Sequence, residues 1–225
     1  MPPVASLPTP TLSTARLRLR PFTEADTDAV FALGSNPRVM RYWDAPPWHE
    51  YAQAERFLAR CQQMAQEGSG MRLAIERITG GSFIGWCTFM NWDPTYRSAM
   101  LGYCLDETAW GQGFATEAAG ALLTWAFDSL DLNRVQSEVD TRNAASDRVL
   151  HKLGFLREGT LRENCIVNGE VSDSWVYGLL RRDWAMTQNL RDSNTKIPEN
   201  DRGDQSCLTS TTARYSPPSP TPNRA

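Results

Sequence analysis

The chain has 225 residues, 41% of them apolar, and a formal net charge of −3. That is enough for one domain with a full core, and the slight negative charge argues against nucleic acid or an anionic membrane as the main partner. The five cysteines show no CxxC spacing and there are only two histidines, so no metal site is offered; the pattern fits reduced, packed thiols in a cytoplasmic protein, and no apolar run reaches membrane-spanning length.

Residues 1–14 (MPPVASLPTPTLST) are rich in Pro, Ser and Thr and lack the basic start and apolar block of a signal peptide. They read as a flexible lead-in to a domain expected over residues 15–187. Leu17 and Leu19 then alternate with arginines, one face of a first strand that Pro21 ends. Thr23, with Asp26 three residues on, reads as the N-cap of a helix carrying Ala29, Val30 and Leu33 to about Gly34. An aromatic, proline-rich loop follows over residues 36–50. A second helix takes residues 50–66, with Ala54, Phe57, Leu58, Cys61 and Ala65 on one stripe. Met71, Leu73 and Ile75 alternate as a half-buried strand, TGGS at 79–82 is a hairpin turn, and residues 82–92 return as a third strand.

After the Asp93-Pro94 turn, Ser98 to Leu105 is small or apolar and interrupted by Gly102, which predicts a buried strand with a bulge. Gly111 and Gly113 bracket Gln112 just ahead of a helix with Ala118, Ala119, Leu122 and Ala126 on one face, and Glu117 stands in its first turn. The first N–H groups of a helix have no partner within it and carry partial positive charge. Glycines in front of them let a phosphate approach without a lysine. Glycines in that place more often mark only a tight turn, so more is needed.

Arg134 to Val139 reads as a strand parallel to its predecessor, because a helix lies between them. A helix at 143–153 has Val149, Leu150 and Leu153 inward and ends at Gly154. Residues 155–161 and 174–180 read as the last strands, joined by a polar loop containing Asn168-Gly169. Residues 188–225 are expected to be a disordered tail rich in Pro, Ser and Thr, with too little apolar surface to order itself.

LGYCL followed by WGQGFATEA resembles the acetyl-coenzyme A signature of the GNAT superfamily of N-acetyltransferases, in the branch of the RimJ/RimL-type ribosomal-protein N-terminal acetyltransferases. Gly113 and Ala115 fit the pattern; Trp110 stands where Gln or Arg is usual, as in many members of this branch. ARLRLRPFTEAD resembles the branch's opening, and RVQSEVDTRNAASDRVLHKLGFLREG at 134–159 resembles the segments that close the fold. The resemblance implies an α/β (α+β) fold: a mixed, mainly antiparallel sheet of about seven strands, helices on both faces, and a splayed parallel pair holding the cofactor. It implies acetyl-CoA as co-substrate and no metal, with contacts from Tyr103, Cys104, Leu105, Gly111, Gln112, Gly113, Phe114, Ala115, Thr116 and Asn143.

The reaction so implied is direct attack of an amine on the thioester in a ternary complex, with the carbonyl held by a backbone N–H around Cys104 or Leu105. Cys104 itself, with no histidine nearby in the sequence, ranks as a core residue. Many members use a Tyr in the helix before LGF as the acid; here that position is Leu150, and the Asn-x-x-Ser pattern points to Ser146, assisted by Asn143. A plain helix start explains those two residues as well. Glu138 and Glu163 are both open as base. Tyr42, Trp43 and Trp48 are candidates for acceptor contact, with packing over the core edge an equal reading. The acceptor implied is a primary amine, foremost a protein or peptide N-terminal α-amino group. A small-molecule amine (antibiotic or polyamine) and a non-catalytic acyl-CoA-binding protein stand as alternatives. A polycation would want an acidic pocket, and the 36–50 loop offers only Asp44 and Glu50. Monomer and homodimer are both open.

Overall fold

The computed structural model describes the backbone of residues 7–195 and the side chains of residues 7–188. Eight strands form one sheet: β1 (Leu12–Ser13), β2 (Leu17–Pro21), β3 (Gly70–Arg77), β4 (Phe83–Asp93), β5 (Ser98–Leu105), β6 (Arg134–Asp140), β7 (Leu156–Val167) and β8 (Glu170–Leu180). Their order is β1-β2-β3-β4-β5-β6-β8-β7. Every neighbouring pair is antiparallel except β5 and β6. The helices are α1 (Thr27–Ser35), α2 (Ala52–Gln66), α3 (Phe114–Ser129), α4 (Ala144–Leu153) and α5 (Arg181–Thr195).

Strand alternation splits the core into two layers. Leu17, Leu19, Leu73, Ile75, Phe89 and Leu101 join the apolar faces of α3 and α4 in one cluster. Ala74, Trp86 and Cys104 face the other way and pack with Val30, Leu33, Ala54, Leu58 and Cys61 of α1 and α2. The feature that positions the site is the β5–β6 pair. It holds register only from Ser98–Arg134 to Met100–Gln136, and beyond Met100 the strands part.

Four sequence expectations need correction. Residues 7–14 are not a loose lead-in: Leu7 is 2% exposed and its N–H donates to the Ala65 carbonyl, while Leu12 and Ser13 pair with Leu19 and Arg18 as an extra edge strand. Two apolar side chains among prolines and hydroxyl residues suffice to dock that segment; residues 1–6 lie outside the described residues. Gly102 makes no bulge. It pairs in register with Thr88, whose Cγ2 would come within 3.1 Å of any added Cβ, and the irregularity falls between Met90 and Asp93. The expected polar loop between the last strands is itself strand, running to the Asn168-Gly169 turn. Of the residues this adds to β7, 162–164 are all exposed, so no apolar alternation marks them. Helix α5 also continues through the expected domain edge at 187 to Thr195, and residues 196–225 of the expected tail lie outside the described residues. Among the described residues no helix is long and apolar enough to cross a membrane.

Candidate active site

The end of β5 leads into a turn stabilised mostly by its own backbone and near neighbours. Asp106 Oδ1 accepts the Thr108 N–H at 2.9 Å, and the Trp110 indole N–H donates to the Leu105 carbonyl at 2.8 Å. That bond gives Trp110 a structural task at its unusual position. Gly111 and Gly113 then take φ of 73° and 81°, the left-handed region open mainly to glycine. A Cβ on Gly111 would meet nothing within 4 Å, so conformation rather than crowding asks for glycine. Gly113 is the N-cap of α3 and offers no side chain to its first turn. The N–H groups of Phe114, Ala115 and Thr116 therefore point out of the helix end without an intrahelical partner.

The sequence reading missed the residue that braces this turn. Arg16, at the start of β2, donates to the Gln112 carbonyl at 3.0 Å and through Nε to Glu117 at 2.6 Å. Thr14 Oγ1 donates to the other Glu117 oxygen at 2.6 Å. Burial pushes the Glu117 carboxyl up, but the hydrogen bonds from Thr14 and Arg16 outweigh it and hold it below the usual carboxylate range. Glu117 is thus held as a carboxylate and paired with Arg16 in the first turn of α3. The Arg16 and Arg77 guanidinium groups also lie 4.4 and 5.0 Å from the Phe114 ring centroid. Thr14 and Arg16 stand 103 and 101 residues from Glu117 in sequence, and no local signal announces them. A groove of about 490 Å³ runs beside this end of α3, lined among others by Gly113, Thr116, Gly120, Lys152 and Trp184.

In the splayed gap, two bonds fix which way the β5 backbone faces. Ser137 Oγ of β6 donates to the Leu101 carbonyl at 3.0 Å, while the Asp106 N–H donates to the Ile84 carbonyl of β4. Strand periodicity then aims the backbone groups of Tyr103 and Leu105 into the gap and those of Cys104 at β4. Burial pushes the Cys104 thiol up to about 12, consistent with a core residue and not with a thiolate nucleophile. Tyr103 crosses the gap to α4, its hydroxyl donating to the Ser146 carbonyl at 3.3 Å. Asn143 caps α4, accepting the Ser146 N–H at 3.2 Å. Ser146 is half-buried and its hydroxyl makes no hydrogen bond among the described residues. Leu150 is fully buried below it.

On the other side of the gap, Glu138 lies two residues past the Met100–Gln136 pair, level with Gly102, and is exposed. Glu163 sits on the outer strand β7 with φ 53° and its N–H held by Asp173. The structure brings Trp43 to this mouth: its ring lies 5.1 Å from Trp86, packed against the cluster that includes Cys104. Tyr42 stands under Arg41, whose carbonyl accepts from Asn168 at the β7–β8 turn, 2.8 Å away. Trp48 packs instead on Gly34 and, 5.6 Å away, on Phe57. Among the described residues no cluster of His, Cys, Asp and Glu could hold a metal ion.

Residues 16–156 match the family model described as an acetyltransferase (GNAT) domain. An uncharacterized N-acetyltransferase of Bacillus licheniformis, p20, is 34% identical over 175 residues, covering 78% of this chain and 98% of the relative. Among solved structures, RimJ of Mycobacterium smegmatis in complex with CoA-disulfide aligns with TM-score 0.71 and 23% identity, covering 79% of this chain and 89% of that one. The spermidine N-acetyltransferase of Vibrio cholerae in complex with CoA and spermine aligns with TM-score 0.69 and 22% identity, covering 76% and 99%. With more than half of its length matched and a relative aligned nearly end to end, this chain belongs to the GNAT acetyltransferase family.

Proposed function

We propose that this chain acetylates the α-amino group of a protein or peptide N-terminus. Membership of the family makes it an acetyl-CoA-dependent N-acetyltransferase; the acceptor is the part proposed. One observation carries the choice. Of the carboxylates bordering the mouth of the gap, Glu107 is paired with Arg38, Asp140 with Arg142, and Asp106 caps its own turn. Glu138, which accepts from Gln136, has no cationic partner among the described residues, nor does Asp44 beside Trp43, so the mouth offers few carboxylates free of a cation or a cap. A single α-ammonium needs one carboxylate to take its proton, whereas a polyamine brings several charges that each need a partner. Likeness to the spermidine enzyme and to RimJ at these identities speaks for fold alone, so the acceptor is argued from the cleft.

The residues present fit acetyl-CoA. The outward N–H groups of Phe114, Ala115 and Thr116, behind two side-chain-free glycines, would hold its pyrophosphate. The free edge of β5 and the Asn143 side chain would hold the pantetheine amides. Acetyl-CoA supplies the acetyl group already activated as a thioester. The Leu105 N–H, aimed into the gap, donates to the carbonyl oxygen where charge gathers. Glu138 would take a proton from the acceptor ammonium, freeing the amine lone pair for attack, and the Ser146 hydroxyl would donate to the sulfur as it leaves. Trp43 and Trp86 wall the mouth with apolar surface.

Thiol release measured with free peptides, the same peptides blocked at the N-terminus, and spermidine tests this. Turnover with the free peptides only is expected. Faster turnover with spermidine would move the chain to the polyamine class, and none with any amine would support the non-catalytic reading.

A further inference from the structure

A second site lies on the α2 face of the sheet, away from the gap. Arg72 projects from β3 beneath α2 with its guanidinium against two rings, 4.5 Å from the Phe57 centroid and 4.6 Å from that of Trp86, themselves 6.1 Å apart. The rings cover part of the group and accept no hydrogen bond in its plane, so its N–H groups need other partners. One edge nitrogen reaches the Cys61 sulfur at 3.9 Å, a weak acceptor. The Nε–H is buried and has no partner. No carboxylate pairs with Arg72 among the described residues, and Arg60 adds repulsion rather than relief. A desolvated cation in that state is costly unless an anion meets it.

Arg72 also lines a groove of about 340 Å³ whose other walls include Leu7, Pro8, Pro21, Phe22 and Ala65. A fork-shaped donor at one end of an apolar slot matches one ligand chemistry: a planar anion carrying an aliphatic tail. We propose that this groove binds a small aliphatic carboxylate, its oxygens in the plane of the Arg72 guanidinium and its tail against Leu7, Pro21 and Phe22. Neither the acetyl-CoA end of α3 nor the gap between β5 and β6 contributes to it. The ordered segment 7–9 forms part of the wall, which gives the docking of Leu7 a use beyond packing.

Calorimetric titration of the full chain with octanoate should show saturable binding. Octanol has the tail without the charge, octylamine the opposite charge, and inorganic phosphate the charge without the tail. Each should bind at least about tenfold more weakly, the scale of one charged hydrogen bond. Arg72→Gln should weaken octanoate by at least about tenfold on the same grounds. That change also removes packing against Phe57 and Trp86, so Ala65→Phe, which fills the groove and keeps Arg72, serves as the second variant. It should abolish octanoate binding and leave acetyl-CoA affinity as it was. Octanol or phosphate binding as tightly as octanoate, or octanoate binding undiminished in Ala65→Phe, overturns the proposal.

Discussion

The two sides of the cleft are built by different means. On the side proposed for the cofactor, the turn from β5 into α3 is shaped by backbone angles, with Gly111 and Gly113 left-handed and the first N–H groups of α3 aimed outward. On the side proposed for the acceptor, Trp43 comes from a loop, Trp86 from β4, Glu138 from β6 and Asn168 from the β7–β8 turn. A backbone-built site depends on what each residue allows at its own position. A side-chain-built site depends on register and topology, which bring distant residues together. The first can hold an invariant ligand while the second changes its acceptor.

The largest break in this contrast should come from Gly113→Val. A β-branched residue at φ 81° is strained by roughly 1–2 kcal/mol, and its side chain would stand where the phosphates approach. Losing two charge-assisted bonds, each about 1.5–3 kcal/mol, predicts about a thousandfold loss of acetyl-CoA affinity by calorimetry. Acceptor recognition, read as the preference between peptides, should not change. Equal affinity in the variant would remove the phosphate assignment. Glu138→Gln should do the converse, leaving acetyl-CoA affinity alone and lowering kcat. General-base assistance is worth about 100- to 10,000-fold, and an exposed carboxylate belongs in the lower half of that range. Glu163→Gln is expected to leave kcat unchanged; a large loss there and none at Glu138 would exchange their roles.

The same contrast explains what could be read from the sequence. The β5–turn–α3 unit was legible because each of its demands is local: apolar strand, two glycines, then a helical stripe. The antiparallel pairing of β3 with β4 and the parallel relation of β6 to β5 followed from the hairpin turn and the intervening helix, but the place of β8 between β6 and β7 did not. Glu138 was visible as a carboxylate, but not that Arg142 and Arg38 tie up the carboxylates around it. The bond from Trp110 to the Leu105 carbonyl and the clamp of Arg16 on Glu117 leave no periodic trace. Nor does the far half of β7: residues 155–161 read as strand, but 162–164 are all exposed and lack the alternation by which strands are recognised.

Ser146→Ala sharpens the boundary between the two sides, since α4 borders both. Ser146 Oγ makes no hydrogen bond among the described residues, so its loss leaves no buried group unpaired and the fold should be indifferent. A thiolate leaves tolerably well unaided, which places the expected loss of kcat at about 100-fold, the low end for proton transfer. Single-turnover measurement keeps chemistry rate-limiting. Unchanged kcat would reduce Ser146 to the first turn of a capped helix. The Tyr103 hydroxyl, 3.3 Å from the Ser146 carbonyl, would then be the next donor to remove.

The smallest effect is expected where the backbone-built side depends on a side chain after all. Glu117 is held below its ordinary 4.5 because the hydrogen bonds from Thr14 and Arg16 outweigh its burial. A carboxyl depressed on folding contributes stability that is fully present above its unfolded value and is lost as pH falls through its folded value. The window is therefore below about pH 4.5. Arg16 is 49% exposed on its side chain, so solvent screens the pair and the stake is small. Glu117→Gln should lower Tm near neutrality by about 1–3 °C, the shift expected for under 1 kcal/mol in a domain of this size. The difference from the wild type should shrink as pH falls below about 4.5. Arg16→Met should produce the same pH-dependent loss and also loosen the Gln112 carbonyl, raising KM for acetyl-CoA with kcat little changed. A Tm difference that persists undiminished at low pH would mean that Glu117 matters for packing and not for its charge.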